Sequence, residues 1–403
     1  MAPTDVDVYD LDTYVQGVPH TLYRRLRAED PVHWNPEPGG PGFWAVTKYA
    51  DVVTISKDPK TYSSARGATN IWDLPKEHLS TVQMLMVNMD PPRHTKFRRL
   101  VSRGFTPRMT SRLEPFIRAA AIRSIERAAG LGECNFVREV AAELPLVVIA
   151  DLMGIPQDDR HKVFDWSNRL IGFDDPEFQT SFEDGTIAAQ ELWMYANGLA
   201  ELRKKEPGED LVSLLVQGEI DGEHLTEMEF DAFFLMMAVA GNETTRNAIS
   251  GGMLALMQNP GERDRLLADP SLLPSAIEEM LRWVAPVIHF RRTAMRDLEL
   301  RGKTIREGDK VVMFYPSANH DEEVFPNPDV FDVGRTPNDH LSFGIGQHFC
   351  LGSSLARLEL KILFEELLAR LPNVTLAGNV RRLRSNFING YKEIPVRLNP
   401  PAR

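Results

Sequence analysis

The chain has 403 residues, 43% hydrophobic and 26% charged, the balance of a soluble globular protein with a core large enough to enclose a cofactor-sized cavity. Its formal net charge of −11 argues against general nucleic-acid binding. The longest apolar run, Ala232 to Gly241, falls well short of the roughly 18 to 20 residues that a membrane span needs. Two cysteines, Cys134 and Cys350, exclude a zinc quartet and a disulfide framework and point to the reducing cytoplasm. The first residues, Met1 to Asp7, lack the basic start and apolar run of a signal peptide.

In chain order, Pro19 to Arg27 reads as a helix. Val32 to Trp34 and Phe43 to Val46 read as strands joined by the Pro/Gly-rich Asn35 to Gly42. Tyr62 to Asp90 has poor periodicity and is a candidate lid over a binding site. A helix follows Asp90-Pro-Pro, with His94 and Arg98 on one face and Lys96, Arg99 and Arg103 on another. The first face suits an anionic group and the second an acidic partner; the plainer alternative is a solvated basic helix. Pro115 to Pro207 is mostly helical, broken at Gly130–Glu133, Gly154–Pro156 and Gly172–Pro176, and Leu211 to Val216 adds a short helix.

The longest helix spans Glu227 to Asn259, and Thr226 with Glu229 fits a capping box at its start. Phe230, Phe233, Phe234, Met237, Ile249, Met253 and Leu256 populate several faces, so the helix should be buried. Ala240-Gly-Asn-Glu243-Thr244-Thr245 interrupts it. Glycine costs roughly 1 kcal/mol against alanine in a helix interior, and a carboxylate among apolar neighbours costs more unless partnered. Small residues there would let a neighbour press on the helix, and a hydroxyl beside an acid can pass protons to it.

Ser275 to Trp283 is a helix carrying Glu279 and Arg282 as an i, i+3 ion pair. Strand-like Ile288–Ala294, Leu298–Leu300 and Lys310–Phe314 follow, and then a Pro/Asp-rich meander from Asn319 to Arg335. The stretch Phe343-Gly-Ile-Gly-Gln-His-Phe-Cys350-Leu-Gly352 opens a helix from Ser353 to about Leu371. A thiol at a helix mouth feels the positive end of the macrodipole and unpaired N–H groups, which favour thiolate, so Cys350 is a ligand or a nucleophile unless it is simply a buried cysteine. Glycines at 344, 346 and 352 suit backbone approaching something flat and bulky. Val374 to Leu398 reads as a small terminal sheet with a turn at Phe387–Gly390. With no internal repeat or linker, residues 1–403 read as one mainly α domain, β-richer at about 31–56, 286–316 and 374–398.

Four spaced features together resemble the cytochrome P450 family in its soluble bacterial form: Phe343-x-x-Gly346-x-x-x-Cys350-x-Gly352, Glu279-x-x-Arg282, Ala240-Gly241-x-Glu243-Thr244-Thr245 and Phe331-Asp-x-x-Arg335. Asp90-Pro-Pro-x-His94-x-x-x-Arg98 adds a fifth. The resemblance implies a mainly α fold with small sheets, enclosing haem b (iron protoporphyrin IX) between the long central helix and the Cys350 loop and helix. Cys350 would be the axial thiolate and O2 a co-substrate. By the same resemblance, Phe343 packs beside the sulfur, and Gly346, Gly352 and Ala240 approach the macrocycle. His94, Arg98, Arg292 and His348 meet the propionates, Glu243 and Thr244 deliver protons, and Glu279, Arg282 and Arg335 form a structural triad. The substrate pocket would comprise Met84, Met86, Val87, Ile171, Phe173, Met236, Met237, Val239, Ala240, Val287, Ile288, His289, Phe387 and Ile388, with His289 and Asn389 as polar handles.

No flavin, nicotinamide or P-loop motif is present; Gly344-x-Gly346-x-x-Phe349 lacks the third glycine and the βαβ setting. Electrons must then come from outside. The resemblance implies a ferredoxin and its reductase, with docking near Lys96, Arg99 and Arg103. The expected reaction is hydroxylation of a lipophilic molecule of steroid, terpenoid, fatty-acyl or alkyl-aromatic type. Haem-thiolate peroxygenase or coupling chemistry is one alternative, and a non-catalytic haem sensor or carrier is the other.

Overall fold

The fold is built on the helix Glu227–Gln258, whose start is fixed by the capping box legible in the sequence. Thr226 Oγ1 accepts from the Glu229 N–H at 3.3 Å, and Glu229 Oε2 accepts from the Thr226 N–H at 3.0 Å. The computed structural model describes residues 7–74, 76–172, 174–179 and 181–398. Around the long helix pack Glu143–Met153, Arg160–Ile171, Phe182–Lys205 and Leu273–Val284. Phe230, Phe233, Phe234, Met237, Ile249, Met253 and Leu256 are all buried, as a helix apolar on several faces requires. Each such side chain contributes about 1.5–3 kcal/mol on burial.

Glycine in this helix serves close packing. A Cβ on Gly241 would lie 2.7 Å from Ile149 Cδ1, and one on Gly251 would lie 2.6 Å from Val284 Cγ2. The helices Glu143–Met153 and Leu273–Val284 therefore press directly on its backbone. Below, Ser353–Arg370 packs against Glu114–Ala129 and Leu273–Val284, placing the Cys350 loop opposite the middle of the long helix.

A five-stranded sheet lies to one side in the order Val32–Asn35, Phe43–Val46, Lys310–Phe314, His289–Ala294, Tyr62–Ser63. It brings the Tyr62–Asp90 segment beside Arg292, with Ser63 opposite Thr293. Three local readings change. The β-rich portion near the N-terminus includes a helix, Tyr49–Lys57, which buries Val52 and Ile55. The break at Gly130–Glu133 leads into a strand, Glu133–Asn135, paired with Pro395–Arg397. The expected lid is not wholly irregular, since it carries the helix Lys76–Val82 and a single 3-10 turn, Met86–Asn88.

Candidate active site

The Cys350 loop is set by backbone that only glycine adopts easily. Gly344 and Gly346 have φ of +65° and +78°, and a Cβ on Gly346 would come within 2.6 Å of the Ser56 carbonyl oxygen. Gly346 therefore packs against Ser56 and does not line the cavity, contrary to its expected place against the cofactor; Gly344 and Gly352 do line it. The Cys350 N–H donates to the Phe343 carbonyl at 2.8 Å, and the Arg357 guanidinium lies 4.5 Å from the Phe343 ring centre. The thiol departs from the sequence expectation. Burial pushes it up, outweighing the Gly352 N–H, Arg98 and Arg357, which pull it down. A thiolate buried here is costly without a cation on its open side.

That open side is a cavity of about 1060 Å³. His94, Arg98, Arg292 and His348 line it together with Cys350, although they come from three separate parts of the chain. The His94 and His348 rings lie 4.3 Å apart, and His348 Nε2 is 3.3 Å from Ser64 Oγ. Among the described residues no salt bridge joins any of these four to an acid, and His94 Nε2 is buried without a partner. Burial pushes all four down: His94 falls to about 4 and His348 to about 2, with the repulsion of Arg98 and Arg292 adding to both. Asp90, an acid whose charge reaches His94 and Arg292, is occupied by Ser63 and by the Ser64 N–H at 2.8 Å. A wall of cations and N–H donors without a counter-anion, facing a thiol that needs a cation, fits a flat metal macrocycle carrying carboxylates.

Ala240, Gly241, Thr244 and Thr245 form the facing wall. Thr244 Oγ1 donates to the Ala240 carbonyl at 2.7 Å, a backbone bond within its own helix. Glu243 does not join it. Its carboxylate, 2% exposed, pairs with Arg246 and accepts from Asn247 Nδ2 at 3.0 Å; it borders a separate small pocket with Asn168. Neighbours in sequence lie about 100° apart around a helix, so the acid and the alcohol face different surroundings.

Glu279, Arg282 and Arg335 meet between the helix Leu273–Val284 and the meander. Arg282 Nε and Nη2 donate to the Glu279 carboxylate at 2.7 and 2.8 Å, and Arg335 Nε donates to it at 3.0 Å. Arg282 Nη1 also donates to the Asn319 and Pro328 carbonyls, each at 2.9 Å, so the ion pair braces the meander as well.

Of the expected pocket residues, Met84, Met86, Val87, Met236, Met237, Val239, Ala240, Val287, Phe387 and Ile388 line the cavity. Phe173 and the side chain of Ile171 lie outside the described residues. Ile288 and His289 are corrections. Strand alternation turns Phe290 and Arg292 toward the cavity and His289 away, where its Nδ1 meets the Asn386 carbonyl at 2.9 Å; Ile288 joins the core around Phe43 and Phe314. Asn389 is no handle either, being bonded to the Val284 carbonyl and Arg382. The sequence reading missed Trp72, Gln190, Trp193, Asp231 and Phe290 on the wall. Asp231 had a readable signal, an acid one turn from Leu235 on an otherwise apolar stripe.

On the basic helix Arg93–Val101, Lys96 is paired with Asp221. Arg99 and Arg103 have no ion pair among the described residues. No helix among those residues is long and apolar enough to cross a membrane.

Comparison with known proteins agrees with this geometry. Residues 148–374 match the family described as cytochrome P450. A steroid C26-monooxygenase of Rhodococcus jostii (strain RHA1) is 42% identical over 98% of this chain and 85% of its own length. A linalool 8-monooxygenase of Pseudomonas putida is 40% identical over 98% and 99%. A solved structure of a Mycobacterium marinum cytochrome P450 in complex with pseudoionone superposes with a TM-score of 0.92, at 39% identity, covering 98% of this chain and 99% of that one. The chain belongs to the cytochrome P450 family, as a haem b monooxygenase with a cysteine thiolate on the iron and O2 as co-substrate.

Proposed function

We propose that this enzyme hydroxylates an elongated lipophile of steroid or terpenoid type, at a carbon held near Ala240 and Thr244. The carrying observation is the cavity: one continuous space whose wall runs from Met228 to Ala248 along the long helix, and whose side chains there are mainly apolar. The relatives' names support the lipophilic class, since one is a steroid C26-monooxygenase and another a linalool 8-monooxygenase, while the elongated shape rests on the cavity. Haem, when bound, supplies the activation of dioxygen and the insertion of one oxygen atom into the substrate.

In this reading Cys350 would supply the thiolate that holds the haem iron, and the Gly352 N–H, hydrogen-bonded to its sulfur, would tune its donor strength. His94, Arg98, Arg292 and His348 bind the propionates. Thr244 positions a proton donor in the cavity, and Glu243 feeds protons from the other side of the helix by turning away from Arg246. Phe343 limits water at the sulfur. Electrons come from a ferredoxin and its reductase, docking near Lys96, Arg99 and Arg103, in the cytoplasm.

The test is reconstituted turnover with a ferredoxin, its reductase and a panel of steroids, terpenoids and fatty acids. Ligands are chosen first by their low- to high-spin shift of the ferric enzyme. A hydroxylated steroid or terpenoid, located by mass spectrometry, is the expected result. Turnover of short aromatic ligands alone would overturn the reading.

A further inference from the structure

Far along the cavity wall from Cys350 sit two polar atoms that the haem chemistry does not use. Trp193 Nε1, on the helix Phe182–Lys205, and Asp231 Oδ1, on the long helix, are both buried without a hydrogen-bond partner, and both residues line the cavity. Asn197 joins the helix that carries Trp193 to Asp231. It lies one turn beyond Trp193, and its Nδ2 donates to Asp231 Oδ2 at 3.3 Å and to Glu227 Oε1 at 3.0 Å. Buried donors and acceptors are nearly always satisfied in native structures, so an orphan of each kind on a binding-cavity wall marks unmet capacity. Burial, together with Glu227, pushes Asp231 up to about 6, which leaves it an acceptor at neutral pH.

We propose that Trp193 and Asp231 form a polar subsite that takes the terminal hydroxyl of an elongated alcohol and so fixes which distant carbon reaches the haem. This rests on the monooxygenase reading above. A hydroxyl group answers both kinds of atom: its oxygen can accept from an indole N–H and its proton can go to a carboxylate. A ketone satisfies only Trp193. A carboxylate meets the repulsion of Asp231 and Glu227.

The spacing suits a long molecule. Asp231 precedes Ala240 by nine residues and Thr244 by thirteen, about 13 and 20 Å along the helix at 1.5 Å per residue. Met228, Asp231, Leu235, Val239 and Thr244 all face the same cavity. A rigid fused-ring alcohol with an extended side chain spans that distance, whereas a monoterpenoid does not.

The experiment uses the haem-loaded full-length enzyme and the ferric spin shift, titrated with cholestanol, the matching ketone cholestanone, and hexadecanoic acid. In the wild type the alcohol should bind about tenfold more tightly than the ketone, the size expected for a hydrogen bond to a charged acceptor. Asp231→Leu should bring the two within about twofold, and Trp193→Phe should weaken both by about threefold while keeping their ratio. Should Asp231→Leu fail to load haem, Asp231→Asn must still relieve the exclusion of hexadecanoic acid. An alcohol-to-ketone ratio near one in the wild type, or one unchanged in Asp231→Leu with a normal thiolate spectrum, overturns the subsite alone. No shift with any probe in the wild type overturns the elongated-lipophile reading, and the subsite with it.

Discussion

Glu243 and Arg246 form an ion pair one turn apart on the long helix, 2% and 6% exposed, and neither residue lines the cavity that Thr244 faces. Glu243 Oε1 also accepts from Asn247, and Arg246 Nη1 donates to Asn168 Oδ1 at 3.1 Å. The acid is thus held away from the cavity, and the alcohol faces it. Their contributions should separate in kinetics.

Thr244→Ala is expected to keep its haem and its thiolate spectrum while diverting reducing equivalents to peroxide, because only the cavity-side hydroxyl is lost. The ratio of product to NAD(P)H consumed, measured beside peroxide yield, checks this. Glu243→Gln should instead slow turnover by about tenfold or more, within the range for losing a proton-transfer group, with less effect on coupling. Unchanged coupling in Thr244→Ala would remove that residue from proton delivery.

The Glu279 carboxylate accepts from Arg282, Arg335, Asn338 Nδ2 at 3.1 Å and the Asp332 N–H at 3.0 Å. Glu279→Ala leaves a fully buried Arg282 without its counter-charge, so a loss of about 3–5 kcal/mol is expected. The outcome should be poor haem incorporation, read as haem per chain after purification and as a lowered urea midpoint. A stable, haem-loaded variant would contradict it.

His94 falls to about 4 and His348 lower still, against an ordinary imidazole value of about 6.5. Both are therefore neutral in the folded haem-free protein, while the unfolded chain takes up protons below about 6.5. Their contribution is fully present above that pH and is lost as pH falls toward 4. Propionates beside these rings would raise both values and shrink the loss. The urea midpoint of haem-free protein should accordingly drop further between pH 7 and 5 than that of loaded protein, and His94→Gln should narrow the difference.

Arg99 and Arg103 have no ion pair among the described residues, whereas Lys96 is held by Asp221. If this face receives a ferredoxin, Arg99→Glu and Arg103→Glu should slow first-electron transfer more than Lys96→Glu does. The wild-type rate should fall with ionic strength. Stopped-flow reduction under carbon monoxide at low and high salt measures both, and insensitivity to salt would place docking elsewhere.

Much of this enzyme was legible in the sequence because the signals are short-range. The capping box of Thr226 and Glu229, the Glu279 and Arg282 spacing, and the glycines around Cys350 each reflect contacts or backbone angles set within a few residues. What the fold alone decided depends on long-range pairing and on where a side chain points. Glu133–Asn135 is a strand only because Pro395–Arg397 lies beside it. Cys350, placed at a helix mouth, is nevertheless pushed up, since burial outweighs the Gly352 N–H and the nearby arginines. Glu243 sits next to Thr244 in the chain and around the helix from it in space. Trp193 and Asp231, nearly forty residues apart, reach the wall of one cavity only when two helices pack together. Local sequence carries backbone conformation and charge, but desolvation and unmet hydrogen bonds exist only once distant segments have excluded water.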